Sequence, residues 1–461
     1  MRRPAVALID GEHYPPVVID ALRQLSDRFE FRGALFLGGG EKITVADLES
    51  EAKSLYGLPV VFDGDWPRGL ARVIRDFKPE IVVDLSDEPV LGYEQRFRLI
   101  SECLAREVSY VGSDFHFSPA TSDRLCTSPS LAIIGTGKRV GKTAVSGFVA
   151  RALQEVVVGR DGAPAVVVVA MGRGGPAEPE IVRGAGGRVT VADLLDQSRQ
   201  GRHAASDHFE DAVLSRVTTV GCRRCGGGMA GQPFVSNVAA GVELANSLDP
   251  ALIVLEGSGA AVPPVGADAR LLVAGAHQPP AHVTGYLTAY RVLVSDGVVL
   301  TMAEEPLASA DRVRSVVESI REIKPGIEVV PVVFRPQPLE SVEGKKVAFF
   351  STAPAVQKAV LGRHLEEEYG CKVRLVSTSL ADRTALRRDL ERPEMSGVEV
   401  FLTEIKAAAI DVVAEAAEAR GVPVVPVDNA PVETQAHQQG RLTALAEELA
   451  EMAGQRFKDR A

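Results

Sequence analysis

The stretch from Leu131 to Val149, LAIIGTGKRVGKTAVSGFV, constrains the fold of this chain more than any other. Four apolar residues, 131–134, predict a short buried strand, and the apolar residues after Lys142 recur at helical spacing. A glycine-rich turn separates the strand from the helix, which is the context of a phosphate-binding P-loop. Glycine lets backbone N–H groups turn toward a phosphate, and the helix directs its positive end to the same place. The pattern therefore predicts an α/β nucleotide-binding domain.

The residue types in this loop predict ATP and Mg²⁺ as cofactors. Lys142 would reach the β- and γ-phosphates, and the Thr143 hydroxyl would hold the metal ion. The alternative is a Gly-Lys-Thr triplet that stands in a loop by chance. The residues expected to surround the nucleotide phosphates are Gly135, Thr136, Gly137, Lys138, Arg139, Val140, Gly141, Lys142 and Thr143.

The spacing of the loop differs from the common one, because five residues separate Gly135 from Gly141. The frame GT…VGKT resembles the loop of dethiobiotin synthetases, which belong to a wider class with amidoligases and ParA-like ATPases. Many members of that class carry a second lysine five residues before the P-loop lysine. Here that position is Gly137, and Lys138 follows it. We keep Lys138 among the candidate catalytic residues, together with Lys142, Arg139 and Arg173.

A second apolar strand predicts the other half of the metal site. Residues 252–255 (LIVL) precede Glu256-Gly257-Ser258-Gly259. An acid at the end of such a strand suits a carboxylate that approaches Mg²⁺ directly or through water. The segment also resembles the strand and EGAG sequence of dethiobiotin synthetases. The alternative is that Glu256 caps a helix.

Composition limits the partners of the protein. The chain has 461 residues and a net charge of −10, which argues against a general nucleic-acid-binding surface. No apolar run approaches the ~20 residues of a membrane span, and the start of the chain reads as a strand, not a secretion signal. Five scattered cysteines do not suit a disulfide framework. We therefore expect a cytoplasmic protein with no membrane partner.

The chain before the P-loop alternates apolar strands with helical segments, which predicts an N-terminal doubly wound parallel sheet. We expect this Rossmann-like domain over residues 1–127, the ATP-binding catalytic domain over 128–335, and a C-terminal α/β part over 336–461 that completes the catalytic domain. His13 follows the first strand, in DGEHYPP, where ligands of such sheets bind. It is a candidate substrate-binding residue; the alternative is a loop histidine that caps backbone groups.

Arginine and glycine residues occur together after several predicted elements. Arg173 follows the apolar strand 165–170, and Arg223-Arg224 lies in the segment CRRCGGG. Arginine is suited to bidentate contacts with phosphates and carboxylates. The alternatives are a flexible basic loop for the glycine- and arginine-rich segment 183–188, and a metal or redox pair for the lone CxxC. We favour anion binding, because a positive pocket in an acidic chain indicates a small anionic substrate.

The C-terminal half reads as further strands and helices. Residues 291–294 (RVLV) and 424–427 are among the predicted strands, and Asp428-Asn429 follows the latter. The amide of Asn429 has both a donor and an acceptor for adenine, so we expect it to read the base.

The motifs IDGEHYPPV, GTGKRVGKT, MGRGGP, CRRCGGGMAG and LEGSGAAVPPV together resemble the cyclic 2,3-diphosphoglycerate synthetases over nearly the whole chain. The resemblance implies that ATP and 2,3-diphosphoglycerate give ADP, phosphate and cyclic 2,3-diphosphoglycerate. The residues alone indicate an ATP-dependent enzyme that acts on an anionic substrate. The candidate substrate-binding residues are His13, Arg139, Arg173, Arg223 and Arg224.

Two other functions stay open from the residues. One is a kinase that phosphorylates a phosphoglycerate-like acid without cyclisation. The other is a ParA-like switch ATPase, which would carry a lysine at position 137, where this chain has glycine. Nucleotide-sandwich dimers are common in this class of P-loop proteins, so by analogy we expect a homodimer.

Overall fold

The protein was studied as a computed structural model that describes residues 2–42, 55–120, 123–159, 162–184, 190–201, 207–434 and 439–460. The chain divides into two compact units. The first comprises Met1–Thr121 and Pro279–Val294, and the second comprises Ser122–Gln278 and Ser295–Ala461. Each unit has its own sheet.

The first unit is built on a six-stranded sheet of order β3-β2-β1-β4-β5-β6. The pairs are parallel except for β5 with β6. The strands are β1 (Arg3–Ile9), β2 (Phe29–Phe36), β3 (Val60–Phe62), β4 (Ile81–Asp84), β5 (Ser109–Val111) and β6 (His116–Phe117). The helices are α1 (Pro15–Leu25), α2 (Trp66–Phe77) and α3 (Tyr93–Ala105), joined later in the chain by α8 (Pro280–Val283) and α9 (Thr288–Leu293).

The centre of this sheet explains where a ligand of the first unit would bind. Strand β1 is nearly fully buried, and it pairs with β2 on one side and β4 on the other. The strand order therefore reverses between β1 and β4, which is the position at which open α/β sheets bind ligands. The loops after these two strands begin at Asp10 and Leu85.

The second unit contains one large sheet of order β11-β10-β8-β12-β7-β13-β14-β15-β19-β18-β16-β17, with β9 paired to β10. The strands are β7 (Ser130–Gly135), β8 (Val166–Gly172), β9 (Glu180–Val182), β10 (Thr218–Cys225), β11 (Val235–Ser236), β12 (Leu252–Glu256), β13 (Ala269–Gly275), β14 (Gly297–Thr301), β15 (Glu328–Pro338), β16 (Lys346–Phe350), β17 (Lys372–Ser377), β18 (Val400–Thr403) and β19 (Val424–Glu433).

The helices of the second unit cover this sheet. They are α4 (Lys142–Val156), α5 (Val191–Arg199), α6 (Asp207–Ser215), α7 (Val238–Asn246), α10 (Ala310–Ile323), α11 (Lys358–Tyr369), α12 (Arg383–Leu390), α13 (Glu415–Ala419) and α14 (Arg441–Arg460). A π-helix, Ala409–Ala414, leads into α13. No helix in the described part of the chain is both long and apolar enough to span a bilayer.

Strand β15 joins two parallel parts of the large sheet. Its first residues pair parallel with β14, and its later residues pair antiparallel with β19. Strands β19, β18, β16 and β17 then continue as parallel neighbours. The strands that contain the P-loop and the C-terminal strands therefore share one hydrogen-bonded sheet.

The predicted fold class, a doubly wound parallel sheet followed by a P-loop α/β domain, is confirmed. The strand predicted at residues 291–294 is wrong, because these residues lie in or directly after helix α9. A short apolar run does not distinguish a buried helix from a buried strand, and Ala289 and Val292 are buried here as helix residues. The alternating pattern before the P-loop also predicts a helix at residues 45–55, and almost all of these residues lie outside the described ones.

A buried carboxylate ties the last helix to the start of the P-loop strand. Asp268 accepts hydrogen bonds from the Ser130 backbone N–H, at 3.0 Å, and from its hydroxyl, at 2.8 Å. Arg460, in the last turn of α14, places Nε 3.0 Å from Oδ1 of Asp268, and Arg124 lies 3.3 Å away. This network holds α14 against the edge of the core at which β7 begins.

We expect Asp268→Ala to lower the free energy of unfolding of the second unit by roughly 3 kcal/mol, because it removes the buried partner of Arg460. Circular dichroism during urea unfolding would measure the change. Trp66, the only tryptophan, lies in α2 of the first unit, so its fluorescence provides an internal control. Asp196→Ala, which removes an exposed ion pair with Arg199, should leave stability nearly unchanged. An equally mild effect of Asp268→Ala would contradict the conclusion that the buried Asp268 carboxylate stabilises the second unit.

Candidate active site

The site is formed where two adjacent parallel strands end. Strand β12 lies between β7 and β8, and Glu256 at its end is in register with Ile133 of β7. The Gly257 N–H continues the ladder with a 2.9 Å hydrogen bond to the Ile133 carbonyl. The last residue of β12 therefore lies beside the start of the P-loop.

Lys142 and Glu256 form a buried ion pair. Lys142 is 8% exposed and Glu256 is 1% exposed, and the lysine Nζ donates to Oε1 of Glu256. Burial opposes the charge of Glu256, but the Lys142 ammonium and hydrogen bonds, including one from the Thr143 hydroxyl, outweigh it. The pKa of Glu256 is therefore lowered. Phosphates that bind the P-loop lysine would compete with this carboxylate for the same ammonium.

A second buried acid lies against this pair and was missed by the sequence analysis. Asp211, on helix α6, is 1% exposed and interacts with the Glu256 carboxylate. Burial and the negative charge of Glu256 raise the pKa of Asp211 well above its usual range. The only signal in the sequence was an acid on an amphipathic helix, which does not reveal the strand end that the helix covers.

The P-loop itself is fixed by residues distant in sequence. Gly141 has φ +78°, and a Cβ there would lie 2.2 Å from ring atoms of Phe334, on β15. Thr301, buried at the end of β14, donates a 2.8 Å hydrogen bond to the Val140 carbonyl. Gly141 is therefore constrained both by its backbone conformation and by the aromatic ring beside it.

Gln278 supports the other side of the loop. Its Oε1 accepts hydrogen bonds from the Thr136 hydroxyl and, at 3.1 Å, from the Gly275 N–H. Its amide nitrogen lies 3.1 Å from the position that a Cβ on Gly137 would take. Sequence analysis did not identify Gln278, Thr301 or Phe334, because their contacts depend on strand order.

Two of the predicted arginines approach the P-loop at one glycine. Gly259 follows β12 with φ +60°. The position of a Cβ there lies 3.2 Å from Nη2 of Arg173, 3.7 Å from Nη2 of Arg224 and 4.0 Å from the Lys138 backbone N. Arg224 also donates at 2.8 Å to the Ser258 carbonyl. The structure therefore brings together Arg173, Arg224 and the P-loop around a residue that has no side chain.

Arg139 and Arg223 are placed differently. Arg139 is exposed, with φ +63°, in the P-loop turn beside the exposed Lys138. Arg223 is exposed on β10, next in sequence to Arg224. Because successive strand residues point to opposite faces, the side chains of Arg223 and Arg224 leave β10 on different sides. The roles assigned to Arg139 and Arg223 stay predictions.

His13 belongs to the first unit, in the loop after β1. Its Nδ1 lies 2.8 Å from Oδ1 of the fully buried Asp10, which also accepts from the backbone N–H groups of Glu12, His13 and Asp87. Asp10 thus joins the loops that follow β1 and β4. Both the backbone-capping and the ligand-binding interpretations of His13 remain compatible with this geometry.

Asn429 does not follow the end of its strand, as the sequence analysis expected, because β19 continues to Glu433. Antiparallel pairing with β15 extends the strand through the proline-containing segment. The Asn429 amide donates at 2.8 Å to Oε1 of the buried Glu404. Its contact with a base stays a prediction. Gly186, Gly187 and Arg188 lie outside the described residues.

Glu256, at the end of β12, and Asp211, on helix α6, fit a hard divalent cation. Oε2 of Glu256 and both carboxylate oxygens of Asp211 are buried and receive no hydrogen bond. Oxygen donors of this kind suit Mg²⁺. Among the described residues, no group of three or more His, Cys, Asp and Glu side chains could hold a metal ion. The donor set therefore suits an ion that nucleotide phosphates complete, rather than a cation held by protein ligands alone.

Three family models match the chain. Their descriptions are cyclic 2,3-diphosphoglycerate synthetase, N-terminal domain, over residues 4–118; P-loop domain, over residues 130–333; and C-terminal domain, over residues 338–430. Together they extend over most of both units.

Curated proteins named cyclic 2,3-diphosphoglycerate synthetase are similar over nearly the full length. The protein of Rubrobacter xylanophilus is 53% identical over 92% of this chain and 93% of its own. That of Methanothermus fervidus is 43% identical over 98% of both chains. That of Thermococcus gammatolerans is 47% identical over 93% of both.

We expect Gly141→Ala to weaken ATP binding at least about tenfold, because a positive φ and the Phe334 ring both oppose a side chain there. Calorimetric titration with ATP would measure the loss. The control is Gly421→Ala, at φ +66° with nothing within 4 Å of the added Cβ. It introduces backbone strain but no steric clash, and it should bind ATP normally. Adding Phe334→Ala to Gly141→Ala should restore part of the affinity. Normal binding by the single variant would contradict this account of the loop.

Proposed function

Because this chain belongs to the cyclic 2,3-diphosphoglycerate synthetase family, we propose that it uses ATP to join the two phosphates of 2,3-diphosphoglycerate in a cyclic anhydride. The products are ADP, inorganic phosphate and cyclic 2,3-diphosphoglycerate. The observation that carries this proposal is the approach of Arg173 and Arg224 to the P-loop at Gly259.

The nucleotide half of the site consists of the P-loop and the end of β12. Lys142 leaves Glu256 for the β- and γ-phosphates when ATP binds, as P-loop lysines do. Thr143 and the freed Glu256 would then hold Mg²⁺, which neutralises charge on the phosphates as they react. Buried, unbonded carboxylate oxygens at this point support that assignment.

The substrate half must hold two phosphates close together. Two dianions a few ångströms apart repel each other strongly, and the repulsion grows where water is excluded. Guanidinium groups offset it with paired N–H donors in a fixed plane. Arg173 and Arg224 lie within reach of one glycine beside the P-loop, which supports their role in binding the substrate.

The reaction then requires two transfers. An oxygen of one substrate phosphate attacks the γ-phosphorus, the bond to the β-phosphate oxygen breaks, and ADP leaves. An oxygen of the neighbouring phosphate attacks the phosphorus of the activated group, and inorganic phosphate leaves as the ring closes. Both attacking oxygens are already ionised near neutral pH, so no general base is required. Positioning and charge stabilisation supply the catalysis.

We propose phosphate or substrate contacts for four further residues, Lys138, Arg139, Arg223 and His13. Arg139 and Lys138 extend from the P-loop turn and would contact the phosphoryl group that passes between ATP and substrate. Arg223 would bind a further substrate oxygen. His13, oriented by Asp10, would bind the substrate carboxylate or a phosphate.

We further propose a cytoplasmic homodimer. All five cysteines carry free thiols, which suits a reducing compartment. Met229, Phe234 and Val235, in the segment after β10 and at the start of β11, are exposed apolar residues that a second copy would cover. Light scattering at assay concentrations tests the dimer, and a monomeric mass would refute it.

Phosphorus NMR tests the reaction directly. With ATP, Mg²⁺ and 2,3-diphosphoglycerate, we expect equal amounts of ADP, inorganic phosphate and a cyclic product whose phosphorus signals are coupled. Stoichiometric ADP without free phosphate would indicate a kinase. ADP and phosphate formed at the same rate without substrate would indicate a switch ATPase. Either result would refute cyclisation.

We expect Arg173→Ala to lower kcat/KM for 2,3-diphosphoglycerate roughly 10- to 100-fold, because it removes charged hydrogen bonds to a phosphate. ADP affinity should stay within about threefold, since the P-loop holds the nucleotide. Steady-state assays and ADP titration measure the two effects. Arg321→Ala, on the exposed face of α10, is the matched control. Equal loss of substrate use and ADP affinity would contradict the assigned role.

A further inference from the structure

Helix α6 brings a second carboxyl group to the end of β12. It packs against the P-loop helix α4, where a Cβ on Gly147 would lie 3.9 Å from the Cβ of Ser215. Asp211 lies one turn earlier than Ser215 on the same helix and interacts with both Glu256 and Lys142. The P-loop motif and the strand motif do not predict this residue.

The side chain of Asp211 is buried beside a second acid, Glu256, with which it interacts. It is 1% exposed, and neither of its carboxylate oxygens receives a hydrogen bond. Other buried acids of this unit are well satisfied. Asp268 accepts hydrogen bonds from Ser130, and Glu404 accepts them from Ser351, Thr352 and Asn429. Two acids buried next to each other oppose each other's charge, so the position of Asp211 calls for an explanation.

The neighbours of Asp211 point to a ligand rather than to a packing role. Oε2 of Glu256 also lacks a hydrogen bond, and the Thr143 hydroxyl bonds to the same carboxylate. Three oxygens that receive no N–H or O–H donor thus belong to two neighbouring acids, and the Lys142 ammonium attracts both. When nucleotide phosphates take over the Lys142 ammonium, the two acids need another positive charge.

We propose that Asp211 is a ligand of the nucleotide-associated divalent cation, together with Thr143 and Glu256, either directly or through one water molecule. This inference rests on the nucleotide site of the proposed function but not on the cyclisation reaction. The ion is a hard cation of the Mg²⁺ or Mn²⁺ type, because hydroxyl, carboxylate and phosphate oxygens are its donors. Asp211 would thus supply the cation with a second carboxylate, in addition to that of Glu256 at the end of β12.

Mn²⁺ binding tests the proposal without any turnover. The free Mn²⁺ signal in electron paramagnetic resonance is followed while the full-length protein is titrated at saturating ADP. We expect Asp211→Asn to weaken Mn²⁺ binding at least about tenfold, while ADP affinity measured with chelator present is unchanged. The control is Glu155→Gln, which changes an exposed acid near the end of the P-loop helix α4. This control should bind Mn²⁺ as the wild type does.

A second variant distinguishes a metal-binding role of Asp211 from a purely structural one. Asp211→Cys should shift the preference of the ADP-bound protein from Mn²⁺ toward the thiophilic Cd²⁺, which a loss of packing would not do. Cd²⁺ uptake by the wild type corrects for the five native cysteines. Mn²⁺ affinity of Asp211→Asn equal to that of the wild type, or no Cd²⁺ preference in Asp211→Cys, would overturn the inference. Failure of the wild type to bind Mn²⁺ with ADP would overturn the proposed nucleotide–cation site as well.

Discussion

The ion pair between Lys142 and Glu256 is the interaction on which the rest of this site depends. Burial of a charge is costly, and contact with an opposite charge offsets part of that cost. Parallel pairing of β7 and β12 brings the two side chains together, and helix α4 holds the lysine in place. The two charges of the pair neutralise each other, and nucleotide phosphates would compete with Glu256 for the Lys142 ammonium. Binding of a nucleotide therefore changes the electrostatics of both strand ends at once.

The pairing of opposite charges also applies to the proposed anionic substrate, which would bind where arginine side chains come together. The chain has a net charge of −10, yet Arg173 and Arg224 approach one glycine beside the P-loop. A local positive site in an acidic protein attracts a small anion while the overall field disfavours a polyanion. The absence of a side chain at Gly259 leaves room for both guanidinium groups near the Lys138 backbone. The proposed cation and anion sites would thus be formed by residues near the same few strand ends.

Local patterns predicted the elements that carry the chemistry. The strand, glycine turn and helix around Lys142, and the apolar strand before Glu256, lie where the sequence predicted them. The predictions failed where a pattern was short or where pairing extended an element. Residues 291–294 are too short a run for their pattern to distinguish a helix from a strand, and they lie in or directly after α9. Asn429 lies inside β19, because pairing with β15 carries the strand past two prolines.

The sequence alone determined the P-loop, the acid at a strand end, the arginine-bearing segments and the family, because each depends on contiguous residues. It did not show that Arg223 and Arg224 lie within strand β10 rather than in a loop. Only the tertiary structure decided which of these meet. The order β10-β8-β12-β7 places Glu256 beside Lys142 and brings Arg173 and Arg224 to Gly259. The sheet continues through β13, β14 and β15, which brings Gln278, Thr301 and Phe334 to the P-loop. Helix α6 adds Asp211. The physical reason is that hydrogen-bonded register between distant strands, and the packing of α6 on α4, depend on the free energy of the whole core rather than on local sequence.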